Sequence, residues 1–141
     1  MKTWDQIQKE VKERREKWDL RFLELAKHIS QWSLDPSTCV GAVITKNNRI
    51  ISIGFNGLSQ STKDTPERLN NRDIKISIII HGEENAILFA DRKDLIGSTL
   101  YTFPFQSCAK CSSIVAQVGI KRCVAPKMSE ELEIRWGGNC K

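Results

Sequence analysis

The sequence contains no apolar run approaching the roughly 20 residues that would cross a bilayer as a helix. Its opening, MKTWDQIQKEVKERREK, also lacks the continuous apolar stretch of a secretory signal peptide. These absences lead us to expect a cytoplasmic protein with no membrane partner. Aromatic residues are scarce: one tyrosine stands beside tryptophans that cluster mainly towards the N-terminus. Polynucleotide binding, which wants stacking platforms in a basic groove, is therefore disfavoured. No internal repeat or low-complexity segment is present. The five cysteines do not pair off evenly, so no closed disulfide framework is indicated. In a reducing compartment, Cys-x-x-Cys reads as a metal site or a redox couple. A formal charge of +5 is mild and suits a phosphorylated ligand, a nucleic acid or merely a solvated surface.

What is there fits one domain over 1–141, with a charged helical extension at 1–17 and a tail at 126–141. Trp4, Ile7, Val11 and Trp18 are spaced as on one helix face, which continues through Phe22, Leu25, Ala26, Ile29 and Trp32. This predicts a helix from about 18 to 32 with a helical extension before it. Asp35-Pro36-Ser37 breaks it. Val40 to Thr45 and Ile50 to Phe55 then read as two strands of a hairpin around the turn Lys46 to Arg49. Residues 57–73 read as a long polar loop, of the kind that often carries function. Ile76 to Ile80, rich in β-branched side chains, is expected to enter the core extended and to deliver His81 to a helix over about 82–92. A third strand is expected from Ser98, a helix over 109–118, a fourth strand from Lys121 and a last helix over 129–136. Strands alternating with helices imply an α/β fold with the sheet covered on both faces.

The chemistry is concentrated in His81-Gly82-Glu83-Glu84-Asn85-Ala86 and, 27 positions after His81, Cys108-Ala109-Lys110-Cys111. These motifs offer one imidazole, two thiolates and one unshared carboxylate. Three protein ligands on zinc leave a fourth position for water, the arrangement of catalytic rather than structural sites. Both groups fall at predicted helix N-termini, where the helix dipole favours thiolate. Two thiolates and a neutral imidazole make Zn²⁺ formally neutral, so it can be buried without a large desolvation penalty. A lone His-x-Glu or Cys-x-x-Cys is weak evidence. Together they match the zinc nucleobase deaminase signature, in which the glutamate is not a ligand. A closed zinc knuckle would need a fourth ligand, and His28, Cys39, Cys123 and Cys140 all lie off ligand spacing. Glu83 is the expected proton shuttle for attack of water at C4 of a cytosine. Glu84, turned about 100° further round the helix, reads as a surface or structural carboxylate. Cys39 and Cys123 read as core residues of strands, and Cys140 as a free tail thiol.

Across about Trp18 to Arg122 the chain resembles the deoxycytidylate (dCMP) deaminases of bacteria and phages, in the cytidine deaminase superfamily. The resemblance lies in Asp35-Pro-Ser-Thr-Cys-Val40-Gly-Ala-Val-Ile, Gly54-Phe-Asn56-Gly, the His81 to Leu88 run, Thr99-Leu-Tyr, the two-cysteine motif and Gln117 to Arg122. Asparagine at the fifth place of His-x-Glu-x-Asn-Ala favours this family over tRNA adenosine deaminases. The resemblance implies a three-layer α/β/α sandwich with a mixed central sheet and the zinc site at two helix N-termini. It implies conversion of dCMP to dUMP for thymidylate synthesis, with one catalytic zinc per subunit on His81, Cys108 and Cys111, and Glu83 as catalytic residue. It further implies substrate contacts at Asn56, Gly82, Asn85, Phe105 and Ser107, the Gly82 amide meeting the pyrimidine. Read as residues alone, Asn56 is also a turn residue, Asn85 a brace for the zinc loop and Phe105 a core aromatic.

Two positions depart from the family pattern: Ser107 stands where proline is usual and Gly82 where alanine is usual. The loop after Gly57 lacks the glycine-rich stretch and the extra cysteine and histidine that some relatives use for dCTP and a second zinc. Lys63, Arg68, Arg72 and Lys75 are the candidate phosphate cations. The resemblance also implies a homo-oligomer, dimer to hexamer; read as residues, Trp4, Trp18 and Trp32 on one helix face offer apolar contact area, and packing on its own sheet is an equally simple reading of Trp32. The alternatives are a deaminase of dCTP, a nucleoside or single-stranded nucleic acid, and a catalytically silent zinc module used for assembly.

Overall fold

Thr3 opens the first helix. In a computed structural model that describes residues 1–126, the Gln6 amide donates to the Thr3 hydroxyl at 3.2 Å and the Thr3 amide donates to the Gln6 side chain at 2.9 Å. This capping box occupies two otherwise free donors. A single helix α1 then runs Trp4–Ser30, so the charged extension and the expected 18–32 helix are one element. Its second half packs, with Phe22, Ala26 and Ile29 buried, whereas Trp4 and Val11 are 70% and 56% exposed. Intrahelical pairs Lys9–Glu13 and Lys12–Glu16 line the outer half and support it weakly.

Strands β1 (Gly41–Lys46) and β2 (Arg49–Phe55) form the expected hairpin. Asn47 and Asn48 both take positive φ, 54° and 59°, the backbone a two-residue hairpin turn demands and asparagine tolerates. Strand β3 (Thr99–Phe103) pairs antiparallel with β1 on its other side. Strand β4 (Arg122–Val124) pairs parallel with β3, giving a mixed sheet in the order β2-β1-β3-β4. Alternation along β1 and β3 divides the core between two faces. Val43 and Tyr101 pack with Phe22, Ala26 and Ile29 of α1. Ala42, Ile44 and Leu100 face the other way, against Ala86, Leu95, Val115 and Ile120. Those four come from or follow helices α4 (Gly82–Leu88), α5 (Arg92–Leu95) and α6 (Ala109–Gln117). The fold is thus the three-layer α/β/α sandwich.

On the α1 face, Asp19 gathers donors from three elements. The Tyr101 hydroxyl donates to it at 2.6 Å, Arg122 Nη1 at 2.8 Å and Arg15 Nε at 3.2 Å. Arg15 also reaches Asn48 at 2.9 Å, tying α1 to the hairpin turn. Partial burial disfavours the Asp19 charge, but hydrogen bonds from Arg122 and Tyr101 outweigh it and hold the carboxyl below its ordinary range. Burial, with Asp19 alongside, pushes the Tyr101 phenol up to about 12. Asp19→Ala should lower stability by about 2 kcal/mol, the loss of charge-assisted hydrogen bonds. The urea midpoint should fall with its slope unchanged. Because the folded pKa is depressed, this contribution is present above the ordinary value of 3.8 and is lost as pH falls through the folded value. The gap between parent and Asp19→Ala should therefore close in acid.

The segment between β2 and α4 departs from expectation. Part of the predicted loop is helical: α2 (Pro66–Asn70) starts with Pro66 at its first turn and is capped by Thr65. The Ile76 to Ile80 run is not an extended core segment. Helix α3 (Arg72–Ile78) takes its first three residues, leaving Ile76 and Ile78 59% and 39% exposed. The Asn71 side chain caps α3 by accepting from the Ile74 amide at 3.1 Å, and this local bond prevails over β-branched preference. Only Ile79 and Ile80 are extended, and Ile80 forms an isolated antiparallel bridge with Gly57. Helix α4 stops at Leu88 rather than 92, and α5 begins anew behind its Asp91 cap. Cys39 precedes β1, and Cys123, though in β4, is exposed rather than core. The expected helix over 129–136 and Cys140 lie outside the described residues.

Candidate active site

His81 and Cys108 occupy equivalent places, each the N-cap of a helix on the same face of the sheet. Both have extended backbone, and neither side chain caps its own helix. Their carbonyls accept the first helical bonds instead, from Asn85 at 2.9 Å and Ser112 at 2.8 Å, which leaves the imidazole and the thiol free to turn towards each other. Cys111 follows one turn into α6 and is 1% exposed. The ligand atoms of His81, Cys108 and Cys111 lie within 4.8 Å of one another. His81 Nδ1 is 3.1 Å from Cys111 Sγ and 3.8 Å from Cys108 Sγ. Burial pushes the Cys111 thiol far up, and the Glu83 carboxylate and Cys108 add to the shift. Such a site opposes thiolate unless a cation joins it, and one imidazole with two sulfurs suits zinc.

Glu83, in the first turn of α4, is 4% exposed. Burial raises its carboxyl above the ordinary range, although its own backbone amide and His81 act the other way. Glu84 is closer to the cluster than its place one residue along suggested. Its Oε1 lies 3.8 Å from both His81 Nδ1 and Cys111 Sγ, while the side chain stays 27% exposed. Spacing i,i+3 from His81 was the signal for this contact.

The close approach of α4 to the hairpin sets the site's floor. A Cβ on Gly54 would sit 2.4 Å from the Ala86 amide and 2.5 Å from the Gly82 carbonyl, so only glycine admits the helix there. A Cβ on Gly82 would meet Val40 at 3.3 Å and the Asn56 amide at 3.6 Å. Glycine at 82 thus matches a tight contact with the Val40–Asn56 pair.

Asn56 is 7% exposed, and its side-chain amide is engaged within the protein. Asn85 donates to the Phe55 carbonyl at 2.8 Å and braces α4 against β2. Phe105 is buried, its carbonyl accepting from Thr102 at 2.8 Å. The Ser107 hydroxyl, next to Cys108, is buried without a hydrogen-bond partner among the described residues. Of the phosphate candidates, Lys75 is 8% exposed and bound to Asp35 at 2.9 Å, hence unavailable. Arg68 donates to the Lys63 carbonyl at 3.0 Å, and Arg72 is exposed. A separate cleft of about 530 Å³ on the outer side of α4 is bordered by Ile53, Phe55, Leu58, Leu88 and Phe89, and shares only Asn85 with the expected site.

Residues 16–127 match the model of the cytidine and deoxycytidylate deaminase zinc-binding region. The chain belongs to this family. Among its relatives is an uncharacterized deaminase in the luxG 3′ region of Aliivibrio fischeri, 45% identical over 121 residues, covering 86% of this chain and 80% of that one. The deoxycytidylate deaminase of Mycobacterium phage D29 is 36% identical over 124 residues, covering 79% and 96%. The fold matches the apo crystal structure of dCMP deaminase from the cyanophage S-TIM5, with a TM-score of 0.60 at 23% identity over 86% of this chain and 93% of that one.

Proposed function

We propose that the chain is a zinc-dependent dCMP deaminase, converting dCMP and water to dUMP and ammonia, with dUMP available for thymidylate synthesis. The observation that carries this reading is a buried Glu83 beside three ligand atoms gathered within 4.8 Å. Similarity to a phage deoxycytidylate deaminase over 96% of that protein's length supports the choice of substrate. His81, Cys108 and Cys111 would hold one zinc ion, which when bound supplies the Lewis acidity that makes water a nucleophile near neutral pH.

The remaining work belongs to side chains and amides of the chain. Glu83 takes a proton from the attacking water at a carboxylate oxygen and delivers it to N3 as C4 is attacked. It then moves a second proton to the departing ammonia. A carboxyl raised by burial suits a group that must both take and give. Gly82 begins α4, so its amide has no intrahelical acceptor and is free for the pyrimidine. Phe105 supplies apolar wall, the Ser107 hydroxyl an unspent polar contact and Asn56 a contact to the sugar. Asn85 acts through its brace on β2, and Arg68, Arg72 or Lys63 meets the phosphate.

The test is loss of cytosine absorbance on dCMP, deoxycytidine, CMP and dCTP with zinc-loaded protein. Turnover of dCMP well above the others is expected. Preference for dCTP would keep the chemistry and overturn the substrate, and no turnover on any of them would overturn the reading.

The same reading includes a homo-oligomer in the cytoplasm. No helix among the described residues is long and apolar enough to cross a membrane. Leu88 and Phe89, 67% and 65% exposed, lie beside β2, an edge strand among the described residues, a better contact surface than the outer half of α1. Sedimentation should give a multiple of the 16.1 kDa chain mass, and Leu88→Glu with Phe89→Glu should reduce it to the monomer.

A further inference from the structure

We propose that residues 58–79 form a flap latched to the body by the buried Lys75–Asp35 ion pair, and that this latch keeps the flap's cations where they meet the substrate phosphate; the phosphate half rests on the dCMP reading above. Of the described residues 58–79, Lys75 alone is buried, at 8% exposure. Helix α2 buries nothing, and Ile76 and Ile78 of α3 are exposed. From Ser59 to Asp73 the segment is polar but for Pro66 and Leu69, so it has too little apolar surface to dock by burial. At its root, Leu58 to Ser61 border the cleft of about 530 Å³ instead of closing on α4.

What attaches the flap is polar. Lys75 Nζ donates to Asp35 Oδ1 at 2.9 Å and to Ser37 Oγ at 3.0 Å, both in the turn after α1. The flap's other side-chain hydrogen bonds stay inside it among the described residues. The Ser59 and Thr62 hydroxyls pair at 2.6 Å, Arg68 donates to the Lys63 carbonyl at 3.0 Å, and Asn71 caps α3. Gly57 and Ile80 close the neck with two backbone bonds, of 3.0 and 2.8 Å, one residue before His81. Movement beyond the neck thus leaves the first proposed zinc ligand in place.

Helices of five and seven residues fall well short of the roughly 12–15 that persist alone in water, so α2 and α3 depend on their seat. Local opening takes least free energy where few side chains are buried. Without the ammonium, the Asp35 carboxylate keeps the Ser37, Thr38 and Asn56 donors but faces no cation. A buried carboxylate in that state is strongly disfavoured. It regains water when the flap lifts, so opening relieves it without unfolding the sheet. Lys63, Arg68 and Arg72 ride on the flap, and a lifted flap carries them away from a bound phosphate.

The experiment compares the parent with Lys75→Met by trypsin cleavage, hydrogen exchange and turnover of dCMP against deoxycytidine. Cleavage after Arg68 should quicken about tenfold in the variant, at temperatures well below its melting. The Ile79 amide, bonded to the Lys75 carbonyl at 2.8 Å, should exchange faster, while the Gly57 and Ile80 amides keep the parent's protection. KM for dCMP should rise about tenfold, the loss of one charge-assisted contact, with the slower deoxycytidine reaction unchanged. The kcat on dCMP should stay within about threefold and zinc at one per chain. A folded variant with the parent's cleavage rate and KM overturns the proposal. Faster exchange at the neck overturns it too, and an equal rise in KM on deoxycytidine overturns the phosphate role. If Lys75→Met does not fold, the parent's own exchange decides. Amides of α2 and α3 should then exchange by local opening at low urea, and exchange only through global unfolding overturns the flap. A parent inert on dCMP overturns the dCMP reading, and cleavage and exchange still decide the latch.

Discussion

Glu83→Gln should lower kcat on dCMP by about 10²–10⁴-fold, the range a positioned proton carrier supplies, while zinc content stays at one per chain. The substitution keeps the shape of a side chain that is 4% exposed and removes only its capacity to take up a proton. Burial opposes a charge at that position, so an uncharged amide of the same shape adds no desolvation cost and the fold should bear it. Glu84→Gln is the control. Its carboxylate stands 3.8 Å from His81 Nδ1 and from Cys111 Sγ, close enough to tune the metal and too exposed to govern the proton. Its kcat should stay within about tenfold, with any larger effect appearing in zinc affinity, as is usual for groups that flank ligands. Equal losses in the two variants would remove Glu83 from its role.

Cys111→Ser should abolish both metal binding and turnover. Zinc affinity should fall by more than the roughly 10–100-fold typical of losing an outer-shell partner. Cys111 is the most enclosed of the three proposed ligands, 1% exposed and 3.1 Å from the imidazole. Its thiol is pushed far up by burial, with Glu83 and Cys108 adding to the shift, so without a cation it keeps its proton and a bound cation favours the thiolate. Binding should therefore release protons and raise the melting temperature of the parent. A chelator should reverse both effects, and added zinc should restore them. The serine variant should melt at one temperature with or without zinc. If it retains one zinc per chain, the ligand assignment is wrong.

The reaction centre was legible because its signals are local and chemically rare. A histidine followed two places later by glutamate, and a cysteine pair three apart, carry their chemistry in the spacing itself. Alternation of strand and helix likewise implied a sheet covered on both faces. What escaped was long-range or locally ambiguous. The Ile76 to Ile80 run reads as strand by composition, and a single cap on Asn71 turned most of it helical. Lys75 reads as a loop cation, because nothing near it announces a carboxylate 40 positions earlier. Asn85 reads by its motif as lying against the substrate or bracing the zinc loop, and what its motif does not announce is that one of its amide hydrogens goes to the Phe55 carbonyl of β2. Trp4 and Val11 carry helical periodicity without a covering surface among the described residues, since periodicity reports a face and says nothing of what lies opposite.

His81, Cys108, Cys111 and Glu83 all lie in the layer opposite α1, across a sheet whose two cores share no side chain among the described residues. Resilience and chemistry are thereby housed in separate compartments. Changes among Phe22, Ala26, Ile29 or the Asp19 cluster should alter how firmly the molecule holds together while the reacting atoms keep their spacing. Trp18, stacked on Phe22 at 5.7 Å, becomes an optical probe of that rear compartment once Trp4, Trp32 and Trp136 are replaced. Its fluorescence can follow melting in a molecule whose turnover is read independently, from the other side, in the absorbance of cytosine.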